Sequence, residues 1–338
     1  MYKKLVSHKL SVFCKKYGFL PAAQFAYLKG LGCMDALLTI SHQLHKSLDT
    51  EMESYIVQLD FSAAFDRISH SGLLFKLKSI GMGGSAMSIC SEFLTNRRQR
   101  VVVVGATSEW IPIVSGVPQR SVLGPLLFIL YTSELLELVE SRLYSYADDS
   151  TLLAVVRKPA DRPAVAASLN RDLARIQEWY NHWCMLLNAN KTKALVISRS
   201  RTVNPPHGDM VLFGVSICAS LNIDIIGGKF DSRLTFEDHV RGIVSRVSQR
   251  IGILRLVKRV FVDTFGLLRC CYAFVLLQIL EYCSPVPECH HQLLERQVYS
   301  VAGLCPDQTF LSLSHRRNVS ALCVLFRVNS NLNHCLLS

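Results

Sequence analysis

Apolar positions along the chain repeat with both a helical and a strand period. Apolar residues three or four positions apart lie on one face of a helix, and this spacing predicts three long helices. The helices run through Ala36, Leu37, Ile40, Leu44 and Leu48, through Val165, Leu169, Leu173, Ile176, Trp179 and Tyr180, and through Ile243, Val247, Ile251, Leu254 and Phe261. Short β-branched or aromatic runs predict strands at residues 55–61, 101–104, 142–146, 150–156 and 194–198. Because both periods occur along one stretch of chain, the predicted fold class is α+β.

Composition places the chain among globular proteins. Half of its 338 residues are apolar and 19% are charged, a balance that excludes disordered, collagen-like and low-complexity chains. The longest strongly apolar stretch, residues 270–280, is much shorter than the roughly 20 residues that a membrane helix needs, so we expect no membrane partner. The N-terminus lacks the apolar core of a secretory signal, and we therefore expect a protein of the nucleus or cytoplasm.

Positive charge is in excess and is densest along the third predicted helix. Lys and Arg outnumber Asp and Glu by 37 to 26, a net charge of +11, which makes nucleic acid the first partner to consider. The residues of the basic segment, which has no acidic residue within it, are Arg241, Arg246, Arg250, Arg255, Lys258 and Arg259. Such a segment binds a phosphate backbone or serves only as a solvated, solubilising face.

Three carboxylates form the strongest candidate for chemistry. Asp60 closes the apolar run at residues 55–59 of the first predicted strand, and Asp148 and Asp149 occupy a tight connection between two further strands. If these strands are neighbours, the carboxylates converge, and their mutual repulsion raises their pKa values unless cations neutralise them. Mg²⁺ suits such a site because it prefers oxygen ligands and binds one or two carboxylates together with substrate phosphates. An isolated Asp-Asp pair is otherwise common turn chemistry.

Six motifs follow one another along the chain, at residues 24–30, 59–66, 115–128, 146–149, 187–193 and 226–239. In this order they resemble the fingers motif, first aspartate motif, loop-and-helix motif, Tyr-Ala-Asp-Asp hairpin, fourth palm motif and primer grip of reverse transcriptases. The form is that of non-LTR (LINE-type, jockey- or CR1-like) retrotransposons, and the resemblance covers about residues 5–330. It implies a right-hand polymerase, with partial fingers at 1–55, an antiparallel palm at 56–232, and a helical thumb with a partial C-terminal extension at 233–338.

The resemblance also implies the metal ligands and the general acid. Asp60, Asp148 and Asp149 would be catalytic and would hold two Mg²⁺ ions, or Mn²⁺ in their place. Two such ions stabilise both the attacking and the leaving oxygens of a phosphoryl transfer. Lys191 would donate a proton to the leaving pyrophosphate, with Lys193 as the competing assignment. For either lysine, a solvated surface position is the plain alternative.

Three residues are implied to bind the incoming nucleotide. They are Phe61, whose backbone would lie near the triphosphate, Phe65 and Gln119. Phe65 falls where the family has an aromatic steric gate, whose ring leaves no room for a 2′-hydroxyl and therefore favours deoxynucleotides. Without the motif, Phe65 is interpreted as an ordinary core residue. The implied partners are an RNA template, a DNA primer and deoxynucleoside triphosphates, whereas the oligomeric state stays open.

The sequence departs from the family pattern in four places. Arg120 stands where relatives have Gly after Pro-Gln, and it fills space beside the nascent base pair and loses a conformation that Gly reaches cheaply. Leu28 stands where relatives carry an Arg that meets the triphosphate. Residues 285–288 resemble a shortened Pro-Val-Trp segment. The chain also begins partway through the fingers without an endonuclease domain, which is typical of a fragment or a decaying copy.

These observations favour one function and leave two alternatives. The main hypothesis is the core of a retrotransposon RNA-directed DNA polymerase, a nucleotidyltransferase that extends a primer 3′-hydroxyl by two-metal phosphoryl transfer. The first alternative is a catalytically impaired, decayed copy that acts at most as a nucleic-acid-binding protein. The second is a metal-dependent nuclease built on the same carboxylates, which the polymerase-type sequence around Phe65 and Gln119 disfavours.

Overall fold

The computed structural model describes residues 2–200, 210–217 and 219–258. Its helices are α1 (Tyr2–Lys16), α2 (Cys33–Asp49), α3 (His70–Ser79), α4 (Gly84–Leu94), α5 (Gly124–Thr132), α6 (Arg162–His182) and α7 (Glu237–Lys258). Its strands are β1 (Glu53–Leu59), β2 (Arg98–Gln99), β3 (Val102–Val103), β4 (Ala106–Thr107), β5 (Ile111–Pro112), β6 (Arg142–Tyr146), β7 (Asp149–Val156), β8 (Lys193–Ile197), β9 (Met210–Leu212), β10 (Val215–Ile217), β11 (Asn222–Ile225) and β12 (Gly228–Asp231). Short 3₁₀ helices occur at Ala64–Asp66, Ser133–Glu137 and Pro159–Asp161.

A four-stranded antiparallel sheet carries the candidate site. Its strand order is β6-β7-β1-β8. Strand β1 lies between β7 and β8, and its pairing with β7 ends at Leu59 opposite Ser150. Strands β6 and β7 form a hairpin that closes at Tyr146 opposite Asp149. The strand that precedes Asp60 is therefore the direct neighbour of the hairpin that carries the Asp-Asp pair.

Both faces of the sheet are covered. Tyr55, Ile56 and Val57 of β1 are all buried, so this strand shows a continuous apolar run instead of alternation. Tyr55 and Val57 belong to the main core cluster together with residues of α5 and α6. Every residue of α5 except Pro125 is buried. The hydrophobic core thus fixes the strand from whose end Asp60 extends.

The three helices expected from apolar spacing are confirmed as α2, α6 and α7. Their apolar stripes are buried, as at Leu44 in α2, Leu173 in α6 and Val247 in α7. Helix α6 ends at His182, and Phe261 lies outside the described residues. No helix in the described part of the chain is both long enough and apolar enough to cross a membrane.

The predicted strand at residues 101–104 is shorter in the structure. It is reduced to β3, which pairs with β4. Val104 has a φ of 49° and Gly105 a φ of 86°, and positive φ at both central residues is the pattern of a type I′ hairpin turn. The prediction is confirmed for Val102 and Val103 and wrong at Val104, which reverses the chain direction instead of continuing the strand.

The chain divides into two compact units. Of the described residues, those up to 36 and from 46 to 220 form the first unit, which contains the four-stranded sheet, whereas residues 37–45 and 221–258 form the second. In the second unit, β11 and β12 form a hairpin. The rings of Phe230 and Phe236 meet at 5.3 Å between centroids, and Nδ1 of His239 accepts a hydrogen bond from the Lys229 amide at 3.2 Å.

Candidate active site

Three carboxylates lie at one end of the central sheet. Asp60 directly follows Leu59, whose partner on β7 is Ser150. Asp149 is the first residue of β7, so Asp60 and Asp149 extend from neighbouring strands at the same end of the sheet. Asp148 is in the turn before β7 and, like Asp149, is exposed. The convergence expected from the sequence is therefore present, with Asp149 in the strand rather than in the turn.

The charges of Asp60 and Asp148 act electrostatically on Asp149. Desolvation by the surrounding protein raises the pKa of Asp149, and the negative charges of Asp148 and Asp60 raise this pKa further. Within the described ranges, none of the ion pairs involves any of the three. The end of the sheet is therefore a concentration of negative charge that a cation would relieve.

The donor chemistry of this cluster fits a hard divalent cation. Carboxylate oxygens are the ligands that Mg²⁺ prefers, and Mg²⁺ usually takes one or two of them while water and substrate phosphates complete its shell. Among the described residues, no group of three or more ligating side chains is close enough to enclose a metal ion by itself. The described side chains therefore form no all-protein metal cage at this end of the sheet.

The turn between β6 and β7 has a defined conformation. Ala147 has a φ of 57°, whereas Asp148 is not among the residues with positive φ. Positive φ at the first central residue alone is the pattern of a type II′ turn, which suits the twist of a two-residue hairpin. The Ala147 amide donates a hydrogen bond to Oε1 of Gln24 at 3.1 Å.

The chain that leads to Lys191 is tied to the backbone of Asp60. The Asn188 amide donates to the carbonyl oxygen of Asp60 at 2.9 Å, and the Lys191 amide donates to the carbonyl oxygen of Asn188 at 3.1 Å. The side chains of Lys191 and Lys193 are both exposed. The segment from Asn188 to Lys191 therefore lies at the carboxylate end of the sheet. Which of the two lysines donates a proton stays a question for experiment.

The ring of Phe61 packs toward the core. It stacks on Tyr180 with centroids 5.2 Å apart and planes at 26°, and Phe61 also forms a backbone bridge with Leu187. Tyr180 is completely buried. With its ring held in this way, Phe61 directly follows Asp60 at the end of β1, and its binding to a nucleotide stays a prediction.

Phe65 borders a cavity next to the carboxylates. The cavity measures about 410 Å³, and its lining includes Tyr27, Phe65, Gln119, Arg120 and Asp148. The ring of Phe65 stacks on Phe128 at 4.3 Å and meets the Tyr27 ring edge-on at 6.4 Å. Phe65 is thus supported by the core on one face and borders a space of the size that small-molecule ligands occupy.

Gln119 is held by a residue that the sequence analysis did not select. Its Nε2 donates to both carboxylate oxygens of Asp66 at 3.1 Å. The backbone of Asp66 also lies so close to Gly116 (φ 85°) that a Cβ there would be 2.8 Å from the Asp66 Cα and carbonyl oxygen. Asp66 therefore joins the first aspartate motif to the loop that carries Gln119. The signal available in the sequence was its position within that motif.

The backbone at Arg120 has the conformation expected of a glycine. Its φ is 59°, and a left-handed conformation costs a residue with a Cβ roughly 1–2 kcal/mol. The side chain is exposed and lines the cavity next to Phe65. Arg120, which stands where relatives have Gly, thus strains the backbone and adds a bulky side chain beside the candidate nucleotide site.

Replacing Arg120 with Gly is expected to stabilise the chain and to increase nucleotide addition. Removal of the strain should contribute about 0.5–1 kcal/mol after the greater flexibility of Gly in the unfolded chain is subtracted. Thermal unfolding and primer extension measure the two effects. Glu51→Gly is the matched control, because Glu51 is also exposed with a φ of 57° but does not line the cavity. An equal gain in extension from Glu51→Gly would contradict this account.

The basic segment of the last described helix lies in the second unit. The buried stripe of α7 includes Ile243 and Val247, and Arg241, Arg246 and Arg255 are exposed. Arg241 pairs with Asp238 at 3.1 Å. Arg250 is half-buried, whereas the side chain of Lys258 and all of Arg259 lie outside the described residues. The described arginines therefore flank the apolar stripe of α7.

The chain belongs to the reverse transcriptase (RNA-dependent DNA polymerase) family, whose family model matches residues 1–229. The expected α+β right-hand polymerase class is thereby confirmed. Among curated proteins the chain is similar to probable RNA-directed DNA polymerases from the Drosophila melanogaster transposons BS and X-element. The identities are 28% over 263 residues and 27% over 258 residues, each over 75% of this chain.

A third relative is the RNA-directed DNA polymerase from the mobile element jockey of Drosophila melanogaster, 29% identical over 232 residues and 66% of this chain. These similarities confirm the resemblance to LINE-type reverse transcriptases. The chain spans about a quarter of these relatives, between 25% and 28% of their length. Among solved structures it is similar to a Candida albicans telomerase in complex with a telomeric RNA fragment, with 14% identity and a TM-score of 0.46 over 91% of this chain and 49% of that one.

Proposed function

We propose that this chain is the polymerase core of a retrotransposon RNA-directed DNA polymerase. It extends a primer 3′-hydroxyl with deoxynucleoside triphosphates on an RNA template, in the nucleus or cytoplasm. The observation that carries the proposal is the convergence of Asp60, Asp148 and Asp149 beside the cavity bordered by Phe65. Membership in the reverse transcriptase family supports it. Residues 1–55, 56–232 and 233–338 serve as partial fingers, palm and thumb in this proposal.

The carboxylates hold the divalent cations in this function. Asp60 and Asp149 extend from adjacent strands, and Asp148 lies one residue away in the turn, so their oxygens bind two Mg²⁺ ions, or Mn²⁺, together with the triphosphate. When bound, such ions make the primer hydroxyl a better nucleophile and neutralise charge that develops on the phosphates. The raised pKa of Asp149, caused first by desolvation and then by the charges of Asp148 and Asp60, supports this role, because bound cations compensate the repulsion between the carboxylates.

The cavity beside the carboxylates receives the incoming nucleotide. The Phe65 ring packs against the sugar and excludes a 2′-hydroxyl, since Phe128 behind it prevents the ring from moving away. Gln119, held by Asp66, lines the same cavity and positions the nascent base pair. Lys191, on the loop tied to Asp60, supplies the proton that the leaving pyrophosphate needs.

The arginines of α7 bind the duplex through its phosphates. The exposure of Arg241, Arg246 and Arg255 and the absence of acidic residues between Arg241 and Arg255 support this role. Contacts to phosphates hold the duplex without discriminating between base sequences, and they weaken as the salt concentration rises.

Primer extension on an RNA template tests the proposal. The protein is incubated with a labelled DNA primer, deoxynucleotides and Mg²⁺, next to Asp148→Ala and the control Asp49→Ala. Asp49 has a side chain that is 77% exposed and pairs only loosely with Arg199, at 3.6 Å. We expect extension by the natural chain and by Asp49→Ala but not by Asp148→Ala. Shortening of primer or template would favour the nuclease alternative, and salt-sensitive RNA binding without extension would favour the decayed copy.

A further inference from the structure

A segment of the fingers motif lies along the edge of the four-stranded sheet. The Ser145 amide on β6 donates to the carbonyl oxygen of Ala23, and the Phe25 amide donates to the carbonyl oxygen of Ser145, each at 2.9 Å. Gln24 therefore forms a parallel bridge with Ser145. This short pairing places Gln24 next to the last residues of β6, immediately before the turn that carries Asp148.

The side chain of Gln24 reaches from this edge into the turn. Only 1% of Gln24 is exposed. Its Oε1 accepts two hydrogen bonds, from the Ala147 amide at 3.1 Å and from the Ala26 amide at 3.0 Å. One buried oxygen thus joins the turn to the fingers segment, which lies more than a hundred residues away in the chain.

The conformation of the turn between β6 and β7 depends on the hydrogen bond of the Ala147 amide. In a two-residue hairpin the amide of the first turn residue lies outside the strand ladder, so it needs a partner from elsewhere. Ala147 also holds a φ of 57°, which persists only where the surroundings enforce it. Because Asp148 and Asp149 follow directly, a rotation of the Ala147 peptide would move both carboxylates relative to Asp60.

We infer that Gln24 is a positioning residue, whose single oxygen fixes the Ala147 peptide and thereby the arrangement in which Asp148 and Asp149 bind divalent cations with Asp60. The inference rests on the proposed function for its effect on polymerisation, whereas its effect on cation binding stands by itself. A side chain that orients metal ligands in this way typically contributes about 10- to 100-fold to metal affinity or activity.

The test compares Gln24→Met, which keeps the length of the side chain without its amide oxygen, with Gln24→Glu, which retains an acceptor oxygen. Gln177→Met is the matched control. Oε1 of Gln177, like that of Gln24, accepts a hydrogen bond from a backbone amide, in this case that of Phe213 at 2.7 Å. Mn²⁺ binding is measured by electron paramagnetic resonance of the free ion. Thermal unfolding and the Mg²⁺ dependence of primer extension are measured on the same proteins.

We expect Gln24→Met to weaken Mn²⁺ binding about tenfold and to raise the half-saturating Mg²⁺ concentration to a similar extent. Gln24→Glu should stay within about threefold of the natural chain, and Gln177→Met should lower the melting temperature without changing cation binding. Mn²⁺ affinity within twofold of the natural chain in Gln24→Met, or an equal loss in Gln177→Met, would overturn the inference.

The two proposals can fail separately. If the natural chain does not extend a primer but Gln24→Met still weakens Mn²⁺ binding, the polymerase function is wrong and the positioning role stands. If the natural chain extends a primer and Gln24→Met binds Mn²⁺ equally well, the positioning role is wrong and the polymerase function stands.

Discussion

Replacing Asp149 with Asn is expected to lower the rate of deoxynucleotide addition by about 10³-fold or more. Residues of a catalytic unit act together, so the loss of one removes most of the activity of the whole unit. The same change is expected to raise the melting temperature at neutral pH in the absence of divalent cations. An active-site carboxylate that reduces stability is a common trade-off between function and stability. Lower activity together with a higher melting temperature distinguishes a functional carboxylate from a structural one. Loss of a structural carboxylate would lower both the activity and the melting temperature.

The direction of the stability effect follows from the pKa of Asp149. This pKa is raised above its ordinary value of 3.8 in the folded chain, so the unfolded chain releases the proton at a lower pH. The folded state then binds more protons, and its stability falls as pH rises through the interval between the two values. The amide that Asp149→Asn introduces does not ionise, so the variant lacks this loss of stability.

Melting temperatures recorded with a chelator over a pH series check this expectation. The curves of the natural chain and Asp149→Asn should converge below about pH 3.8 and separate toward neutral pH, with the variant higher. Adding Mg²⁺ should raise the melting temperature of the natural chain alone, because binding to the folded state stabilises it. Asp49→Asn, at an exposed position, should change neither activity nor the pH dependence. A lower melting temperature for Asp149→Asn at neutral pH would contradict the account.

Phe65→Val is expected to remove most of the discrimination against ribonucleotides. The smaller side chain leaves room for a 2′-hydroxyl, and the ratio of kcat/KM for a deoxynucleotide to that for its ribonucleotide should fall by about 10- to 100-fold. Addition of the deoxynucleotide should fall much less. Single-nucleotide incorporation with each triphosphate measures this ratio.

Phe19→Val is the matched control for the sugar selectivity. Phe19 is also a partly buried phenylalanine packed against the core, but it does not line the cavity that Phe65 borders. Phe19→Val should lower stability to a similar extent and leave the sugar selectivity unchanged. Unchanged selectivity in Phe65→Val would show that Phe65 is an ordinary core residue.

Much of the fold could be predicted from periodicity because it is determined locally. The stripe of α6 and the hairpin of β6 and β7 follow from apolar spacing, since each buries residues that are close in sequence. The predictions failed where local conformation overrode composition. Val104 has high strand propensity, yet the left-handed turn before Gly105 requires it to reverse the chain.

The candidate site was predicted only in part. The convergence of Asp60 with Asp148 and Asp149 could be anticipated, because each follows or joins a recognisable strand. The supports of the site could not, because they depend on contacts between distant parts of the chain. Gln24 reaches Ala147, and Asp66 holds Gln119, and nothing in the local sequence of either residue specifies its partner.

The position of Tyr27 beside the site could not be predicted from the sequence either. It lines the cavity, and its ring meets Phe65. Desolvation raises the pKa of its hydroxyl, and the charge of Asp148 raises it further. In the sequence Tyr27 is only one aromatic residue of a fingers motif, because its approach to the site depends on how the segment after Gln24 lies against β6.

Template-directed addition of a single nucleotide tests the central claim most directly. An RNA template that presents G as its first unpaired base is annealed to a DNA primer, and each deoxynucleotide is supplied alone with Mg²⁺. The account predicts that only dCTP extends the primer, and that Asp149→Asn abolishes this extension. Extension by all four nucleotides alike, shortening of the primer, or extension that survives Asp149→Asn would contradict an RNA-directed DNA polymerase at this site.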